Sequence, residues 1–385
     1  MDFELTDAQK RLQEEITSFC LDGHNQEIVS DLLAEGDPYD AHSWLLFRRM
    51  AEKGWISLNW PTEYGGLGYT PEEISIFHET MAYYRMPMTG LILTSLVGSV
   101  IAYFGSDELK AEFLPRAARG ELLFCLLYTE PDAGSDLASL TTRAVEDGDH
   151  YIINGVKIFT SLGHEAHYGL LAARTDPDVK KTAGISLFMV PLDAEGVQVN
   201  PIYTMGSGQV NEEVFTDARV HKRFMVGEKN NGWFVLTMAL GLERGSISGV
   251  AAQGWRYHDE LLEEVRASGL DSSALTVQKL ARMETELEVS GLLNSRLNSL
   301  ISAGRIPLAE AAMTKLYSSE AILRMAGDGV DILGLPGLLE LNSPEAPLGG
   351  FPEYLYQVAT MVTVGAGSSE IMRRIIAKSA LSLPV

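Results

Sequence analysis

The spacing of apolar residues changes twice along the chain. Over the first ~120 residues they recur at helical intervals, as in "TDAQKRLQEEITSFCLD" and "PEEISIFHETMAYYR". From about Glu121 the apolar segments become short and alternate with turn residues, and from about Gly227 the helical period returns. This pattern predicts an α+β protein with an N-terminal helical domain (1–120), a central β-domain (121–226) and a C-terminal helical domain (227–385).

Local signals refine this outline. Pro71 stands just inside one predicted helix and Ser106 is placed to cap another, in "SDELKAEFLPRAARG". In the central region the turn signals "EDGD" (146–149) and "NG" (154–155) predict hairpins, and the helical pattern further on is interrupted at 266–274 and 341–352. The predicted strands of the β-domain, about seven, are "ELLFCLLYT", "TTRAV", "HYIING", "VKIFTS", "YGLLAART", "GISLFMVPL" and "VNEEVFTDARV".

One apolar run is long enough to suggest a membrane span. The segment Met86–Ser106, "MPMTGLILTSLVGSVIAYFGS", carries no charge. It also contains Pro87, three glycines and several hydroxyl residues, and it has no flanking topology signal. A helix buried in the protein core is therefore the favoured interpretation, and we expect no membrane span.

Composition narrows the class of function. The net charge of the 385-residue chain is −22, which argues against nucleic-acid binding and against an anionic membrane surface. Two cysteines, and a start "MDFELTDAQK" without a signal-peptide pattern, favour a cytoplasmic protein. The chain has no GxxxxGK[ST], GxGxxG or GxSxG motif. "HEAH" (164–167) is not the HExxH zinc motif, so we predict loop histidines and no metal site.

Two turns could bind a ligand. "YTEPDAGSDLASL" (Tyr128–Leu140) is an ordinary turn by composition, but Thr129, Ser135 and the backbone amides could also form a cluster of hydrogen-bond donors. In "VTVGAGSSEIMRRIIAK", Ser368 could cap a helix whose first N–H groups face a ligand. A tight turn between two helices explains the second pattern equally well.

The third candidate is an acid within an apolar run, "LGLERGSISG" (240–249). If this run is helical, Glu243 shares a face with Leu236, Ala239 and two further apolar positions. Arg244 is the next residue and points elsewhere, so it cannot simply neutralise this acid. A carboxylate on an apolar face is costly to ionise, which raises its pKa and makes it a stronger base.

Taken together, three motifs resemble the acyl-CoA dehydrogenase family: "GWISLNWPTEYGG", "TEPDAGSD" and "INGVKIFTS". The resemblance covers nearly the whole chain. It implies an N-terminal helical domain, a central β-barrel or sandwich domain and a C-terminal four-helix bundle. It also implies FAD as cofactor, an acyl-CoA thioester as substrate, α,β-dehydrogenation as reaction and an electron-transfer flavoprotein as the acceptor.

The resemblance assigns roles to several residues. Thr129 lies where the family hydrogen-bonds the flavin ring, and Ser135 lies where it contacts the cofactor or the thioester ligand. Phe159 replaces the usual Trp beside the flavin, and Ser161 replaces the usual Thr. The cofactor-binding residues implied in this way are Tyr128, Thr129, Gly134, Ser135, Phe159 and Ser161.

The catalytic base is implied by a substitution. Most family members carry a Glu in a "YEGT" motif, which reads "GAGS" here, with Ala366 in place of Glu. A minority branch places the Glu in an "LER" context after the β-domain, which Glu243 matches. Glu243 would then remove the α-proton as the β-carbon passes hydride to the flavin. Arg244 and the Ala366 N–H would contact the thioester ligand.

Two departures from the family pattern imply a partner. The "RxxFG" and "QxxGGxG" motifs bind the adenosine-diphosphate half of FAD across a subunit interface. Here they read "EEVRASGLDSS", where Arg266 fits only with a shift, and "DILGLPG", where Asp331 replaces Gln and would repel a pyrophosphate. The chain resembles the actinobacterial heterotetrameric acyl-CoA dehydrogenases of steroid side-chain breakdown. That implies an α2β2 assembly with a related subunit; the alternative is a non-catalytic chain that completes a partner's flavin site.

Overall fold

The computed structural model describes residues 4–35, 41–206, 208–243 and 248–384. The helices, numbered in chain order, are α1 (Asp7–Cys20), α2 (Gly23–Glu35), α3 (Trp44–Glu52), α4 (Pro71–Tyr83), α5 (Thr89–Phe104), α6 (Asp107–Ala118), α7 (Gly232–Glu243), α8 (Ser248–Ala267), α9 (Ala274–Ser302), α10 (Leu308–Leu333), α11 (Phe351–Val364) and α12 (Ser369–Ser379). The strands are β1 (Phe124–Leu127), β2 (Arg143–Asp147), β3 (His150–Ser161), β4 (Tyr168–Arg174), β5 (Ile185–Pro191), β6 (Val197–Tyr203), β7 (Gln209–His221) and β8 (Met225–Val226).

These elements form two compact units. The helical unit contains α1, α2, α4 and α8 to α12, and the sheet unit contains α3, α5 to α7 and the strands β1 to β8. Helices therefore precede and follow a sheet-rich middle region, and the predicted α+β organisation is confirmed.

The helical unit is built around α10, which packs against α8, α9, α11 and α12, while α4 packs against α1, α8 and α9. Its interior is apolar, with Leu261, Leu287 and Met325 almost completely buried. A buried polar contact also joins α9 to α4, because the Asn294 amide donates hydrogen bonds to Ser75 Oγ at 2.6 Å and to Glu79 Oε1 at 2.9 Å.

The sheet unit contains a strongly interconnected sheet. The strand order is β6-β7-β3-β2-β4-β5-β8, with β1 pairing in parallel with β4. Successive strands such as β4 and β5 are antiparallel, and the long strands β3 and β7 form the most extensive ladder. One set of buried side chains of the sheet packs against α5, α6 and α7, with Phe113, Phe124 and Leu187 among the members of this core. A second core of the sheet unit contains Tyr151, Phe188 and Phe215.

The charge-free run of the sequence forms α5, as expected for a core helix. Leu96, Val97, Val100 and Ile101 of this helix are buried in the sheet unit's core. Nowhere in the described ranges is a helix both long enough and apolar enough to cross a membrane.

Helix starts follow the capping residues of the sequence. Thr6 caps α1 through a capping box with Gln9, and Thr70 precedes Pro71 in the same arrangement at α4. Ser106 accepts a hydrogen bond from the Leu109 N–H at 3.2 Å, so its predicted role as the N-cap of α6 is confirmed.

One predicted hairpin was wrong. "EDGD" does turn the chain between β2 and β3, but Asn154 and Gly155 lie inside β3, where the register against β7 shifts as in a β-bulge. The two predicted segments "HYIING" and "VKIFTS" are therefore a single strand. The pattern also missed β6, a half-exposed strand at the end of the sheet order that contains Pro201, and the two-residue strand β8.

Candidate functional site

The segment after β1 forms a tight turn that exposes polar groups. Glu130 and Ala133 exchange two backbone hydrogen bonds of 3.1 Å, which closes the turn. Thr129 is partly exposed, and Gly134 and Ser135 are exposed. A Cβ on Gly134 would lie 3.9 Å from Thr129 Cγ2, so these two positions are neighbours. The structure therefore places Gly134 beside Thr129, and the donor cluster proposed for Thr129 and Ser135 stays a prediction.

An outward bulge of β3 lies beside this turn. The register against β7 shifts between Ile158 and Thr160, and the intervening Phe159 has φ +63° and a side chain that is 61% exposed. The neighbouring Ile158 N–H donates to Thr129 O at 2.9 Å. The aromatic ring is thus presented next to the turn by backbone geometry, and Ser161 follows at the partly exposed end of β3.

Three buried ionisable side chains near the turn escaped the sequence reasoning. Lys157 Nζ lies 2.8 Å from Glu130 Oε1, and both side chains are almost completely buried. Glu213 is also fully buried and accepts a hydrogen bond from the Thr160 hydroxyl at 2.5 Å. Burial raises the pKa of Glu213 to about 7. The sequence signal for Glu213 was the pair "EE" (212–213) in a predicted strand. Adjacent strand residues face opposite sides, so one of two consecutive acids must point into the protein.

In the helical unit, the "GAGS" segment forms the predicted turn between two helices. Ala366 adopts φ +54° and Gly367 φ +99°. Ser368 then caps α12, because its hydroxyl accepts from the Ile371 N–H at 3.4 Å. The side chain at position 366 is a methyl group, which cannot accept a proton.

Asp331 belongs to a four-residue charged cluster on α9 and α10. Lys279 Nζ lies 2.6 Å from Asp331 and 3.3 Å from Asp328, and Arg282 pairs with Asp328 as well. Asp331 is thus neutralised rather than isolated, and the cluster holds two cations and two anions. Arg266 lies in the last turn of α8 and is exposed.

The proposed base lies at the edge of what the structure describes. α7 ends at Glu243, four residues after Ala239 and seven after Leu236, both of which are buried. The Glu243 side chain, Arg244 and the rest of segment 244–247 lie outside the described residues. Whether Glu243 shares its face with the apolar positions beyond it stays a prediction.

The histidines of "HEAH" lie between β3 and β4, in a loop as predicted. His167 Nδ1 accepts from the Leu123 N–H at 3.2 Å, and His164 Nδ1 lies 3.1 Å from the Asn211 amide nitrogen. Across the described part of the chain, no group of three or more His, Cys, Asp or Glu side chains is arranged to hold a metal ion.

Known proteins resemble this chain along its whole length. Acyl-CoA dehydrogenase FadE26 of Mycobacterium tuberculosis (strain ATCC 25618 / H37Rv) is 34% identical over 399 residues, covering 100% of this chain and 99% of the relative. Acyl-CoA dehydrogenase FadE29 of the same organism is 34% identical over 391 residues with the same coverage.

Solved structures agree with the sequence relatives. The Tcur3481-Tcur3483 steroid ACAD is 32% identical with a TM-score of 0.93, and both chains are covered completely. The ChsE4-ChsE5 complex from Mycobacterium tuberculosis is 34% identical with a TM-score of 0.87, again over 100% of both chains.

Family models complete the comparison. The N-terminal, middle and C-terminal domain models of acyl-CoA dehydrogenase match residues 6–121, 125–218 and 230–381. The resemblance inferred from the sequence motifs is thereby confirmed. The chain belongs to the acyl-CoA dehydrogenase family, and it is an oxidoreductase acting on a CH–CH pair.

Proposed function

We propose that this chain is the catalytic subunit of an FAD-dependent enzyme that desaturates an acyl-CoA thioester between Cα and Cβ, with Glu243 as the base. The observation that carries the proposal is the pairing of the Thr129–Ser135 turn with the exposed ring of Phe159. We also retain the division into domains 1–120, 121–226 and 227–385 as part of this proposal.

The chemistry of the turn and the bulge fits a flavin. Thr129 and Ser135 offer hydroxyl groups, Gly134 leaves the backbone accessible, and Phe159 presents an aromatic ring that is largely exposed. A flat heterocycle with a polar edge needs both a ring to pack on and donors in its plane. When bound there, FAD would accept the hydride from the substrate β-carbon. The cofactor contacts proposed for this chain are Tyr128, Thr129, Gly134, Ser135, Phe159 and Ser161.

Glu243 and Ala366 are proposed to have separate roles, proton removal and hydrogen bonding to the thioester. Ala366 has a methyl side chain and cannot accept the α-proton, so another residue must act as the base. Glu243, which follows the buried Leu236 and Ala239 at helical spacing, is the candidate. The backbone N–H of Ala366 would donate to the thioester oxygen, where negative charge develops as the proton leaves. Arg244 would contact the thioester ligand together with Ser135.

A related partner subunit is part of the proposal. The solved relatives named above are the Tcur3481-Tcur3483 steroid ACAD and the ChsE4-ChsE5 complex, both of which pair two named chains. On that basis we propose an α2β2 assembly in the cytoplasm, a bulky acyl group such as a steroid side chain, and an electron-transfer flavoprotein as acceptor. The non-catalytic alternative is not favoured, because relatives that match the full length are named acyl-CoA dehydrogenases.

Replacing the base tests the mechanism. In the complex co-expressed with its partner, Glu243→Gln should keep flavin and thioester binding but slow flavin reduction by about 10²–10⁴-fold, because general-base catalysis contributes that much. Glu263→Gln, on an exposed position of α8, is the matched control and should react like the wild type. Reduction of the Glu243→Gln variant within a few-fold of the wild-type rate would refute the assignment.

Removing one hydroxyl tests the flavin contact. Thr129→Val keeps the shape of the side chain and leaves a polar edge of the cofactor unpaired, at a cost of about 1–3 kcal/mol. We therefore expect weaker FAD retention or a shifted flavin absorption spectrum. An unchanged spectrum together with unchanged FAD affinity would count against the contact.

The stoichiometry tests the assembly. If this chain lacks the adenosine half of the site, the complex should hold about two flavins per α2β2 tetramer rather than four. Mass measurement and flavin absorbance on the same sample give both numbers. A stable tetramer of this chain alone, with one FAD per subunit and full activity, would disprove the shared site.

A further inference from the structure

The buried ion pair of the sheet unit is connected to both parts of the candidate flavin site. Lys157 Nζ lies 2.8 Å from Glu130 Oε1 and donates a second hydrogen bond to Tyr128 O at 3.0 Å. The side chain of Lys157 has no exposed surface, and that of Glu130 is 4% exposed. One ammonium group thus holds two residues of the turn that carries Thr129 and Ser135.

Glu130 closes the same turn from its other end. Its Oε2 accepts from the Thr141 N–H at 2.6 Å and from the Thr141 hydroxyl at 2.8 Å, and its Oε1 accepts from the Thr142 N–H at 2.9 Å. The carboxylate of Glu130, at the start of segment 130–142, therefore binds the two residues at the end of that segment. Arg174 adds a second tie, donating to Ala138 O at 2.7 Å and to Leu140 O at 3.2 Å.

The pair also fixes the position of the bulge. Lys157 and Ile158 are consecutive residues of β3, and they hold Tyr128 O and Thr129 O respectively. Phe159, the exposed ring, follows directly. Any change in the depth of Lys157 would therefore move the turn and the bulge relative to each other.

Stability alone does not account for such a pair. Both groups are charged at neutral pH: burial would raise the pKa of Glu130, but the Lys157 ammonium and the hydrogen bonds lower it to about 2, and burial lowers the pKa of Lys157 only to about 8. Replacing a buried ion pair by apolar residues is often neutral or stabilising, because two charges lose their hydration on folding. A geometric function is the better explanation of this one.

We propose that Glu130 and Lys157 are positioning residues of the flavin site, which set the turn carrying Thr129 and Ser135 against the bulge carrying Phe159. The proposal rests on the proposed function, because it assumes that these three residues face the flavin. Neither member of the pair is assigned contact with the cofactor or with the substrate. Their effect on the reaction passes through the residues that they hold.

The test compares four variants of the co-expressed complex. Lys157→Met removes the ammonium and leaves Glu130 buried without its cation. The double variant Glu130→Gln/Lys157→Met removes both charges at similar side-chain volume, and the Gln oxygen can still accept from Thr141. It leaves no buried charge without a partner, so it should fold even where Lys157→Met does not. Lys157→Arg keeps the positive charge on a side chain of different shape. Arg219→Gln removes an exposed ion pair of the same sheet, with Asp147, and is the control.

The informative measurements are the flavin spectrum, the FAD dissociation constant and the rate of flavin reduction, each alongside the unfolding temperature. A misplacement of about 1 Å can slow a reaction by about 10²-fold. We expect a reduction rate lower by about that factor and a shifted spectrum in the double variant, even where its unfolding temperature matches the wild type. Lys157→Arg should recover part of the rate, and Arg219→Gln should show no change.

The outcomes separate the two proposals. A double variant with wild-type spectrum, FAD affinity and reduction rate would overturn the positioning role, whatever its unfolding temperature. The positioning role would also be overturned if the folded, flavin-loaded fraction of Lys157→Met kept the wild-type spectrum, FAD affinity and reduction rate and differed only by a lower unfolding temperature. A wild-type complex that binds no flavin would refute the proposed function instead.

Discussion

Glu213 places a carboxyl group inside the sheet unit, and its protonation predicts how the stability of the protein depends on pH. The side chain is fully buried. Oε2 accepts the hydrogen bond from Thr160, whereas Oε1 has no hydrogen-bond partner among the residues that the structure describes. Burial raises the pKa from 4.5 to about 7, and the charge of neighbouring Glu212 adds to this rise.

The direction of the effect follows from proton binding. Between pH 4.5 and about 7 the folded protein keeps the Glu213 proton, whereas the unfolded chain has released it. The folded state then binds more protons than the unfolded state, so the free energy of unfolding falls as the pH rises. Each pH unit in this window removes up to about 1.4 kcal/mol, which gives a total loss of about 3 kcal/mol above pH 7.

Unfolding temperatures over a pH series measure this loss. Glu213→Gln carries no titrating proton and keeps an oxygen for Thr160, so its stability relative to the wild type should improve steadily from about pH 5 to about pH 8. Glu212→Gln is the matched control. Glu212 is partly exposed and accepts a hydrogen bond from Asn200, so its replacement should leave most of the pH trend intact. An infrared band of a protonated carboxyl, present near pH 6 and lost in Glu213→Gln, gives independent confirmation. Parallel pH curves for the wild type and Glu213→Gln would refute the reasoning.

Three further changes test local backbone geometry and packing. Ala366→Gly should stabilise the protein by up to about 1 kcal/mol in urea unfolding, because φ +54° is unfavourable for a residue with a Cβ; a loss of stability would contradict this. Gly98→Ala should destabilise by about 1–3 kcal/mol, because the new Cβ would lie 2.0 Å from the Trp60 ring. Gly291→Ala, whose Cβ meets nothing within 4 Å, should instead stabilise α9 by about 0.5–1 kcal/mol, and equal effects of the two changes would contradict the packing argument.

Local chemistry made much of the fold predictable from the sequence. Helix starts depend on a few neighbouring residues, so Ser106 as a cap and Pro71 in the first helical turn were sufficient to place two of them. The core position of α5 followed from a charge-free run whose glycines and hydroxyl residues argued against a membrane span. The Gly-Ala-Gly turn before α12 was predictable as a turn because glycine permits positive φ at little cost.

Features that depend on strand register were not predictable. Asn154 and Gly155 favour a hairpin locally, but the long ladder between β3 and β7 outweighs that preference and absorbs them in a bulge. The pairs Glu130–Lys157 and Thr160–Glu213 join residues 27 and 53 positions apart. Their contacts arise only when β3 lies beside both β7 and the turn after β1, so the sequence supplied the residues of the motifs but not their partners.

The charged cluster on α9 and α10 changes the physical argument for the proposed shared flavin site. From the sequence, Asp331 suggested direct repulsion of a pyrophosphate. In the folded helical unit Lys279 opposes that charge, and Asp328 engages both Lys279 and Arg282. Repulsion by a lone acid is therefore the weaker argument.

The proposed lack of a pyrophosphate site in this chain is supported by a different observation. A pyrophosphate is held by cations that are available to it, and here both cations of the cluster already neutralise the two aspartates, so the four residues together carry no net charge. Freeing Lys279 for a phosphate would leave Asp331 uncompensated. The proposal that a related partner supplies the adenosine half thus depends on how the charges of this cluster are paired, and the flavin count of the complex is the measurement that decides it.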